Sequence, residues 1–220
     1  MTYADMIADV LDRTDETGNT TLETSVKGWI NRAQEDFCRD YLWPFLEASA
    51  TITLTDGTRE YDLPSDYWHG AFLYQTDSDC VLEYMGERRF RELEPDPTHE
   101  SDPTRYGLWG GKIWFDPIPS TTDNEVYIHY YKQPTAMSAD SDTGTVPSMW
   151  HEALVQYALA IAKEKDDENG VPYMNEYHRI RESARVFYSS KNTEPQTREP
   201  VQGPGYANPE SRLSLPIVGV

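Results

Sequence analysis

Residues 20–64, TTLETSVKGWINRAQEDFCRDYLWPFLEASATITLTDGTREYDLP, decide the fold because the spacing of their apolar residues changes along the stretch. In the first half these residues recur every three or four positions, which predicts an amphipathic helix. Thr20 and Glu23 have the spacing of a capping box, and Pro44 is predicted to stop the helix. The predicted buried face comprises Leu22, Val26, Trp29, Ile30, Ala33, Phe37 and Tyr41. From Ala48 the period becomes two, which predicts strands.

The middle of the chain is predicted to be β-rich. Asp56 and Gly57 lie between two alternating runs, and a dipeptide of that type predicts a tight hairpin. Gly110 and Gly111, between RYGLW and KIWFDP, predict another hairpin and not a phosphate-binding loop, which would need a following helix and lysine. The other elements predicted here are AFLYQ at 71–75 paired with CVLEYM at 80–85, a short helix at 87–93, and the strand EVYIHYY at 125–131.

Helical patterns lie on both sides of this stretch. Residues 3–13 predict a short amphipathic helix, a second pattern opens at Pro147 and Ser148, and a third follows Gly170. The predicted faces of the last two helices comprise Met149, Ala153, Leu154, Tyr157, Ala158 and Ile161, and then Tyr173, Tyr177, Ile180, Ala184 and Phe187. Helices this short cannot bury their apolar faces separately, so we expect the two ends of the chain to pack together.

The predicted fold class is α+β, with a small helical bundle made by the N- and C-terminal helices, a β-rich insertion and an extended Pro-rich C-terminal arm. The expected division is 1–47 for the N-terminal helices of the bundle, 48–135 for the β-rich insertion, 136–192 for the C-terminal helices and 193–220 for the arm.

The sequence of the arm indicates a binding partner more clearly than that of any other segment. Five prolines between 195 and 216 keep it extended, while its last residues, SRLSLPIVGV, are mostly aliphatic and have no core of their own. A disordered terminus is the alternative interpretation. The predicted docking residues are Leu213, Leu215, Pro216, Ile217 and Val218.

Composition restricts the function classes. The formal net charge of −19, with only 19 basic residues, argues against a protein that grips a nucleic-acid backbone. Carboxylates dispersed along the chain suit a salt-loving host, although an ordinary acidic protein is an equally simple explanation. No apolar run is long enough to span a membrane, and the first ten residues do not resemble a signal peptide.

No catalytic or metal site emerges from the sequence. The five histidines are isolated, so no metal and no cofactor is predicted; His151 is expected at the surface and His129 on the polar face of a strand. Cys38 and Cys80 lack metal-ligand spacing and are expected to be buried thiols. The many carboxylates include no pair that the sequence singles out for acid–base work.

The order of segments resembles the head-tail adaptor (connector) proteins of tailed viruses. The resemblance is carried by YLWPFLEASATITL, REYDLPSDY, TRYGLWGGKIWFDPIPSTTDNEVYIHYY, VPSMWHEALVQYALAIA and the tyrosine-rich last helix, which together span about 20 to 190. It implies a structural virion protein without enzymatic activity, in the neck of a virion assembled in the host cytoplasm. It also implies a ring, taken as a dodecamer, beneath the portal protein, which surrounds the DNA channel and meets a tail-side stopper or tail protein.

Two other classes are kept as alternatives. One is a module that binds a small molecule or carbohydrate on an aromatic-rich sheet, through Trp68, Trp109, Trp114, Tyr127, Tyr130 and Tyr131. The other is a hydrolase with an acidic pair that the sequence does not reveal, which would need a cleft with two facing carboxylates.

Overall fold

The fold is α+β, as predicted from the sequence. The structure is a computed structural model, and it describes residues 1–76, 80–92 and 98–191. The described helices are α1 (Tyr3–Arg13), α2 (Thr20–Arg39), α3 (Glu87–Glu92), α4 (His151–Lys165) and α5 (Val171–Lys191), with 3₁₀ turns at Pro44–Leu46 and Ser148–Trp150. The described strands are β1 (Glu47–Thr53), β2 (Glu60–Asp62), β3 (Tyr67–Gln75), β4 (Cys80–Val81), β5 (Glu83–Tyr84), β6 (Arg105–Trp109), β7 (Lys112–Asp116) and β8 (Glu125–Lys132).

The first and last helices form one bundle around α4, which contacts α1, α2 and α5. Small and aliphatic residues on several sides of α4 are fully buried, because neighbouring helices surround it. The residues of α4 with this property are Ala153, Leu154, Val155, Ala158 and Leu159. They share a single apolar core with α1, α2 and α5, so residues from both ends of the chain stabilise each other.

Two amide side chains of α2 hold the segment 133–146, which leads from β8 back to the bundle, against that helix. Asn31 accepts from the Met137 backbone N–H at 2.8 Å and donates to its carbonyl at 3.0 Å. Gln34, which is buried, donates to the Thr135 carbonyl at 2.8 Å and accepts from the Thr145 N–H at 2.7 Å. These bonds satisfy backbone groups that lack a place in a helix or sheet.

The ends of α2 differ from the prediction. Its N-cap is Asn19, whose side chain accepts from the Leu22 N–H at 3.1 Å, so the predicted capping box of Thr20 and Glu23 is wrong. A capping box does occur one helix earlier, between Thr2 and Asp5. The helix ends at Arg39, and Pro44 begins the following 3₁₀ turn.

The strands form two four-stranded sheets. Sheet A has the order β1-β8-β3-β4, with antiparallel pairs throughout. Sheet B has the order β2-β7-β6-β5, in which β5 and β6 are parallel. The predicted hairpin at Gly110 and Gly111 joins β6 to β7 and is confirmed. The predicted pairing of 71–75 with 80–85 holds only for β4, since Glu83 and Tyr84 pair with sheet B.

The predicted hairpin at Asp56 and Gly57 is wrong. Within the described residues β1 pairs along its whole length with β8, and β2 pairs with β7 in the other sheet. A turn is present at the dipeptide, but the Gly57 N–H donates to the Pro119 carbonyl at 2.9 Å and the Leu54 N–H to the Asn124 carbonyl at 2.8 Å. The long-range pairing gives β1 a partner over seven residues, which a local hairpin with the three-residue β2 could not.

The two sheets pack face to face around a second core, which comprises Leu54, Leu73, Leu82, Tyr106, Ile113, Phe115, Val126, Ile128 and Tyr130. The other face of sheet B is partly covered by α3. Phe90 of α3 is buried against the Trp109 ring with 5.0 Å between centroids, and Trp109 stacks on Trp114 at 4.9 Å. The layers therefore run from sheet A through sheet B to α3, and we call residues 47–132 the β unit.

Three side chains lie where the sequence did not predict them. His151 is buried, because its Nε2 lies 2.8 Å from the Val146 carbonyl inside the bundle. Met149 is exposed in the 3₁₀ turn that precedes α4 and does not join the apolar face. Cys38 is buried as expected, but Cys80 is exposed on β4 at the edge of sheet A.

Candidate functional site

The outward side of sheet A is left uncovered by described elements except at the bundle end, where Tyr131 packs against the helical core. Since side chains alternate along a strand, burial of Leu73, Val126 and Ile128 on one side places their neighbours on the other. We call these outward residues the open face: Glu47, Ser49, Thr51 and Thr53 of β1, Glu125, Tyr127, His129 and Tyr131 of β8, His69, Phe72 and Tyr74 of β3, and Val81 of β4.

The open face is aromatic and poor in charge. Phe72 is 45% exposed and Val81 is 53% exposed, and the Phe72 and His129 rings lie 5.7 Å apart. Its acidic residues, Glu47 and Glu125, lie at opposite ends of the register between β1 and β8, and its described positions include no lysine or arginine. In a chain with a net charge of −19 this surface carries few carboxylates. Apolar and aromatic surface with little charge is typical of the centre of protein interfaces.

A tyrosine at the bundle end of the open face acts as a hydrogen-bond donor. The Tyr131 hydroxyl donates to the Glu47 carboxylate at 3.3 Å. Partial burial, and next the negative charge of Glu47, raise the pKa of the Tyr131 phenol above its ordinary value. The phenol therefore stays protonated near neutral pH and contributes a polar but uncharged group.

The opposite side of the β unit carries a basic helix. The sequence of α3 contains three arginines and two glutamates, and Phe90 faces the sheet. Arg88 pairs with Glu92 at 2.8 Å and Arg91 with Glu87 at 3.2 Å. Arg89 is exposed and forms no ion pair with any described residue. We call the exposed residues Glu87, Arg88, Arg89, Arg91 and Glu92 the α3 surface.

Gly107 allows α3 to cover sheet B. A Cβ at this position would clash with the Trp109 ring, which lies across the glycine. The ring stacks on Trp114 and meets the Arg91 guanidinium, whose Cζ lies 5.9 Å from the ring centroid. The missing side chain of Gly107 thus provides room for the tryptophan stack below α3.

A buried carboxylate strengthens the same region. Asp116, at the end of β7, contacts Arg105 at 3.0 Å and Arg59 at 3.5 Å. Asp116 is 7% exposed, and both guanidinium groups remain partly accessible. The ion pairs hold β6, β7 and the segment before β2 together, so we assign them a structural role.

The aromatic residues of the alternative binding module do not form one platform. Trp109 and Trp114 lie beneath α3, whereas Tyr127 and Tyr131 lie on the open face at the other side of the β unit. Tyr130 points into the core between the sheets, where its hydroxyl donates to Asp66 at 2.6 Å. Trp68 packs against the helical core.

The exposed surface of α5 is nearly neutral. Arg179 pairs with Glu176 and Arg185 with Glu182, each with a shortest hydrogen bond no longer than 2.7 Å. Val186 is 61% exposed on the same helix. Charges that are balanced within one helix repel a second acidic copy less than isolated carboxylates do.

Other kinds of site are not evident in the described part of the chain. Within residues 1–76, 80–92 and 98–191, no group of three His, Cys, Asp or Glu side chains is placed to hold a metal ion. No helix in those ranges combines the length and the apolar composition needed to cross a membrane. The predicted docking residues Leu213, Leu215, Pro216, Ile217 and Val218 lie outside the described residues.

Comparison with known families identifies the class of protein. The SU10 adaptor protein family model matches residues 1–202. The chain belongs to the SU10 adaptor protein family. This is a phage adaptor-type family, so the resemblance to viral adaptor proteins is supported at the level of the family. A search of curated proteins finds no significant match.

Membership covers both parts of the fold. Residues 1–202 include the five described helices and both sheets, so the match does not rest on the bundle alone. A phage adaptor has a structural role and is a component of the virion. Its function therefore depends on surfaces that contact other phage proteins, and the open face, the α3 surface and α5 are the candidates.

The sequence signals for these surfaces were incomplete. Period-two alternation in β8 predicted which residues share a face, including the outward His129. It could not show which face a second sheet covers. The basic run ERRFR at 87–91 predicts a short helix, but it does not show that the helix packs on a sheet and exposes its arginines.

Proposed function

We propose that the protein is a head-tail adaptor whose copies form a ring beneath the portal, join the capsid vertex to the tail and surround the DNA channel. Its partners are then the portal protein, neighbouring copies of itself, taken as twelve, and a tail-side stopper or tail protein. The observation that carries the proposal is membership of the SU10 adaptor protein family across 1–202. No enzymatic step is part of it.

Neighbouring bundles are proposed to meet through unlike surfaces, because only head-to-tail contacts close into a ring of many copies. The balanced charges of α5 and the exposed Val186 support contact at this helix. Carboxylates elsewhere on the bundle, such as Asp12 and Asp15, are exposed and would repel a neighbour if they were brought together.

The strong negative charge suits a channel for DNA. A lumen lined by carboxylates repels phosphate groups, so DNA passes without the counterion-release binding that a basic lumen would create. Self-repulsion between copies with a net charge of −19 decreases as salt screens it. We therefore expect the fraction of protein in rings to rise from low to molar salt, as measured by light scattering. A flat or falling fraction would argue against a halophilic origin but not against the adaptor role.

Residues 193–220 are proposed to dock as an extended arm on the portal or on a neighbouring subunit. Near polyproline geometry this length reaches about 85 Å at ~3.1 Å per residue. One arm binds weakly, because the cost of ordering its backbone offsets the burial of a few aliphatic side chains. Many arms on one ring bind together with a high effective concentration.

The arm is tested by deleting it after Asn192. The described helices and strands end at Lys191, so the shortened protein should keep the thermal unfolding profile of the full chain. It should lose stable attachment to purified portal in co-sedimentation. Full attachment of a folded, shortened protein would refute the docking role. A quintuple substitution of Leu213, Leu215, Pro216, Ile217 and Val218 by serine keeps the length and tests those anchors alone.

The ring itself is tested by native mass measurement of the full chain, alone and mixed with portal. The proposal expects one closed species with many copies, formed alone or on the portal as a template. A protein that stays monomeric in both samples would overturn the adaptor proposal.

A further inference from the structure

We propose that neighbouring copies in the ring also join through their β units, with the α3 surface of one copy on the open face of the next. The partner at the open face is thus a second copy of this chain. The inference rests on the proposed ring and names an interface within it.

The order of the layers in the β unit supports this interface. The open face is one side of sheet A, and the inner side of sheet A packs on sheet B. The α3 surface lies beyond sheet B, since Phe90 and the Trp109 stack are on its far side. The two surfaces therefore face opposite ways, as they must when each copy contacts one neighbour on either side in a closed ring.

The charges of the two surfaces also favour this contact. Arg89 is exposed without an ionic partner in the described structure, and α3 carries one more arginine than it has glutamates. The open face carries Glu47 and Glu125, aromatic rings and no described lysine or arginine. An arginine can pair with the carboxylates or stack on Tyr127 and Phe72. Two open faces placed together would bring four carboxylates to one interface without a cation. Glu94 and Asp96, which follow α3 in sequence, lie outside the described residues.

The apolar residues of the open face favour the same contact. Phe72 and Val81 are large apolar residues that the described structure leaves exposed, and both lie on the open face. Contact with a folded helix on a sheet would remove them from water, while Arg88 and Arg91 can lay their aliphatic stems across the rings. Apolar burial supplies affinity, and Arg89 selects the α3 surface over the acidic remainder of a second copy.

The test uses two charge-changing variants on opposite sides of the β unit. Arg89→Glu places a negative charge opposite the acidic open face. Thr51→Arg places a positive charge in the central row of the open face, in register with Tyr127 and Tyr74. Each single variant should raise the concentration at which half of the protein is in rings by about tenfold at low salt. The shift should shrink at molar salt, because screening weakens both new repulsions.

The double variant Arg89→Glu with Thr51→Arg should assemble as the wild type does, since the reversed pair is again attractive. Mixing the two single variants should also restore assembly into even-numbered rings, because each copy then finds a complementary neighbour on both sides. Restoration by mixing shows that the two positions meet between copies and not within one chain.

Matched controls separate charge from folding. Arg32→Glu makes the same charge change at an exposed position of α2 that is outside both surfaces, and Thr51→Gln adds side-chain length without charge. Both should assemble normally. Thermal unfolding checks that each variant is folded; should Thr51→Arg fail to fold, Glu125→Arg at the end of the open face replaces it.

Each outcome has a distinct meaning. Single variants that assemble at wild-type concentrations overturn the proposed interface and leave the adaptor function intact. Weak assembly of the single variants that neither the double variant nor mixing restores overturns the pairing of these two surfaces. A wild-type protein that forms no ring, with or without portal, overturns both this inference and the proposed function.

Discussion

The helical bundle and the β unit bury their apolar surface to different extents. In the bundle, α4 is surrounded by α1, α2 and α5, and buried aromatic residues such as Trp43 complete a core within one chain. In the β unit, α3 covers part of the outer side of sheet B, whereas the outer side of sheet A meets a described element at its bundle end, through Tyr131, and is otherwise open. The difference leaves an uncovered surface on the β unit, and this is the surface that the proposed assembly would bury.

The largest effect expected from this comparison is on the stability of the bundle. Trp43 is 1% exposed, its Nε1 donates to the Phe37 carbonyl at 3.0 Å, and its ring stacks on Phe37 at 5.0 Å. Trp43→Ala should lower the free energy of unfolding by about 3–5 kcal/mol in urea denaturation.

Its counterpart in the β unit is Phe72→Ala on the open face. Since Phe72 is exposed, the monomer should lose no more than about 0.5 kcal/mol. Equal losses for the two aromatic residues would show that the open face is covered within the monomer, and would contradict the comparison.

The second prediction concerns the covered face of sheet B. Gly107→Ala introduces a Cβ that must displace the Trp109 ring from Trp114 and Phe90, which should cost about 1–3 kcal/mol. Near-ultraviolet circular dichroism should show the loss of the stacked tryptophan signal. Gly86→Ala is the control, because its Cβ would meet no atom within 4 Å. An unchanged tryptophan signal in Gly107→Ala would disprove the role of this glycine.

The third prediction tests how the bundle holds the segment that returns from the β unit. Asn31→Ala removes both hydrogen bonds to the Met137 backbone and leaves that peptide group without its amide partner. The expected loss is about 1–3 kcal/mol in the free energy of unfolding. The neighbouring exposed Arg32→Ala should change it by no more than about 0.5 kcal/mol. Similar effects at both positions would argue that the amide does not hold this segment.

The fourth prediction is a pH dependence that originates in the bundle. Burial, and to a smaller extent the positive amino terminus, lower the pKa of His151 below its ordinary value of 6.5. As the pH falls, the unfolded chain therefore binds the His151 proton before the folded protein does. The stability that the neutral, buried imidazole contributes is fully present above the pKa of the unfolded chain, and it is lost as the pH falls towards the pKa of the folded protein.

The measurement compares the free energy of unfolding at about pH 7.5 and about pH 5.5 in the wild type and in His151→Gln. The wild type should lose more stability between the two, because only it contains the buried imidazole. An identical loss in both proteins would show that other groups cause the acid sensitivity.

The smallest expected effect has the opposite sign. Gly28 is exposed within α2, and a Cβ there would meet no atom within 4 Å. Gly28→Ala should therefore stabilise the bundle by about 0.5–1 kcal/mol, because alanine loses less backbone entropy in a helix. Destabilisation measured in urea would indicate a contact at this position that the monomer does not contain.

Local patterns in the sequence predicted local structure well. The apolar spacing of α2, the Gly110–Gly111 turn between β6 and β7, and the alternation of β8 are each encoded within about twenty residues or fewer. The sequence predictions are wrong at positions where packing against a distant segment determines the local structure. β1 pairs with β8 about seventy residues further along and not with β2, and His151 is buried because α1, α2 and α5 pack around α4.

The candidate surfaces were less predictable than the fold. Alternation assigns Tyr127, His129 and Tyr131 to one side of β8, but the uncovered side is known only once sheet B is seen to pack on the other. Likewise, the arginines of α3 are exposed on one surface because the helix packs on the Trp109 stack. That stack depends on the room that Gly107 provides. Exposure of a sheet face is a property of the whole packing arrangement and not of one strand.

The proposed ring and its interfaces are tested most directly by an electron cryomicroscopy reconstruction of the protein bound to purified portal. We expect a closed, symmetric ring beneath the portal, with the bundles in contact around the channel and the α3 surface of each copy on the open face of the next. A portal without symmetric adaptor density, or a ring whose β units stand apart with both surfaces in solvent, would contradict it.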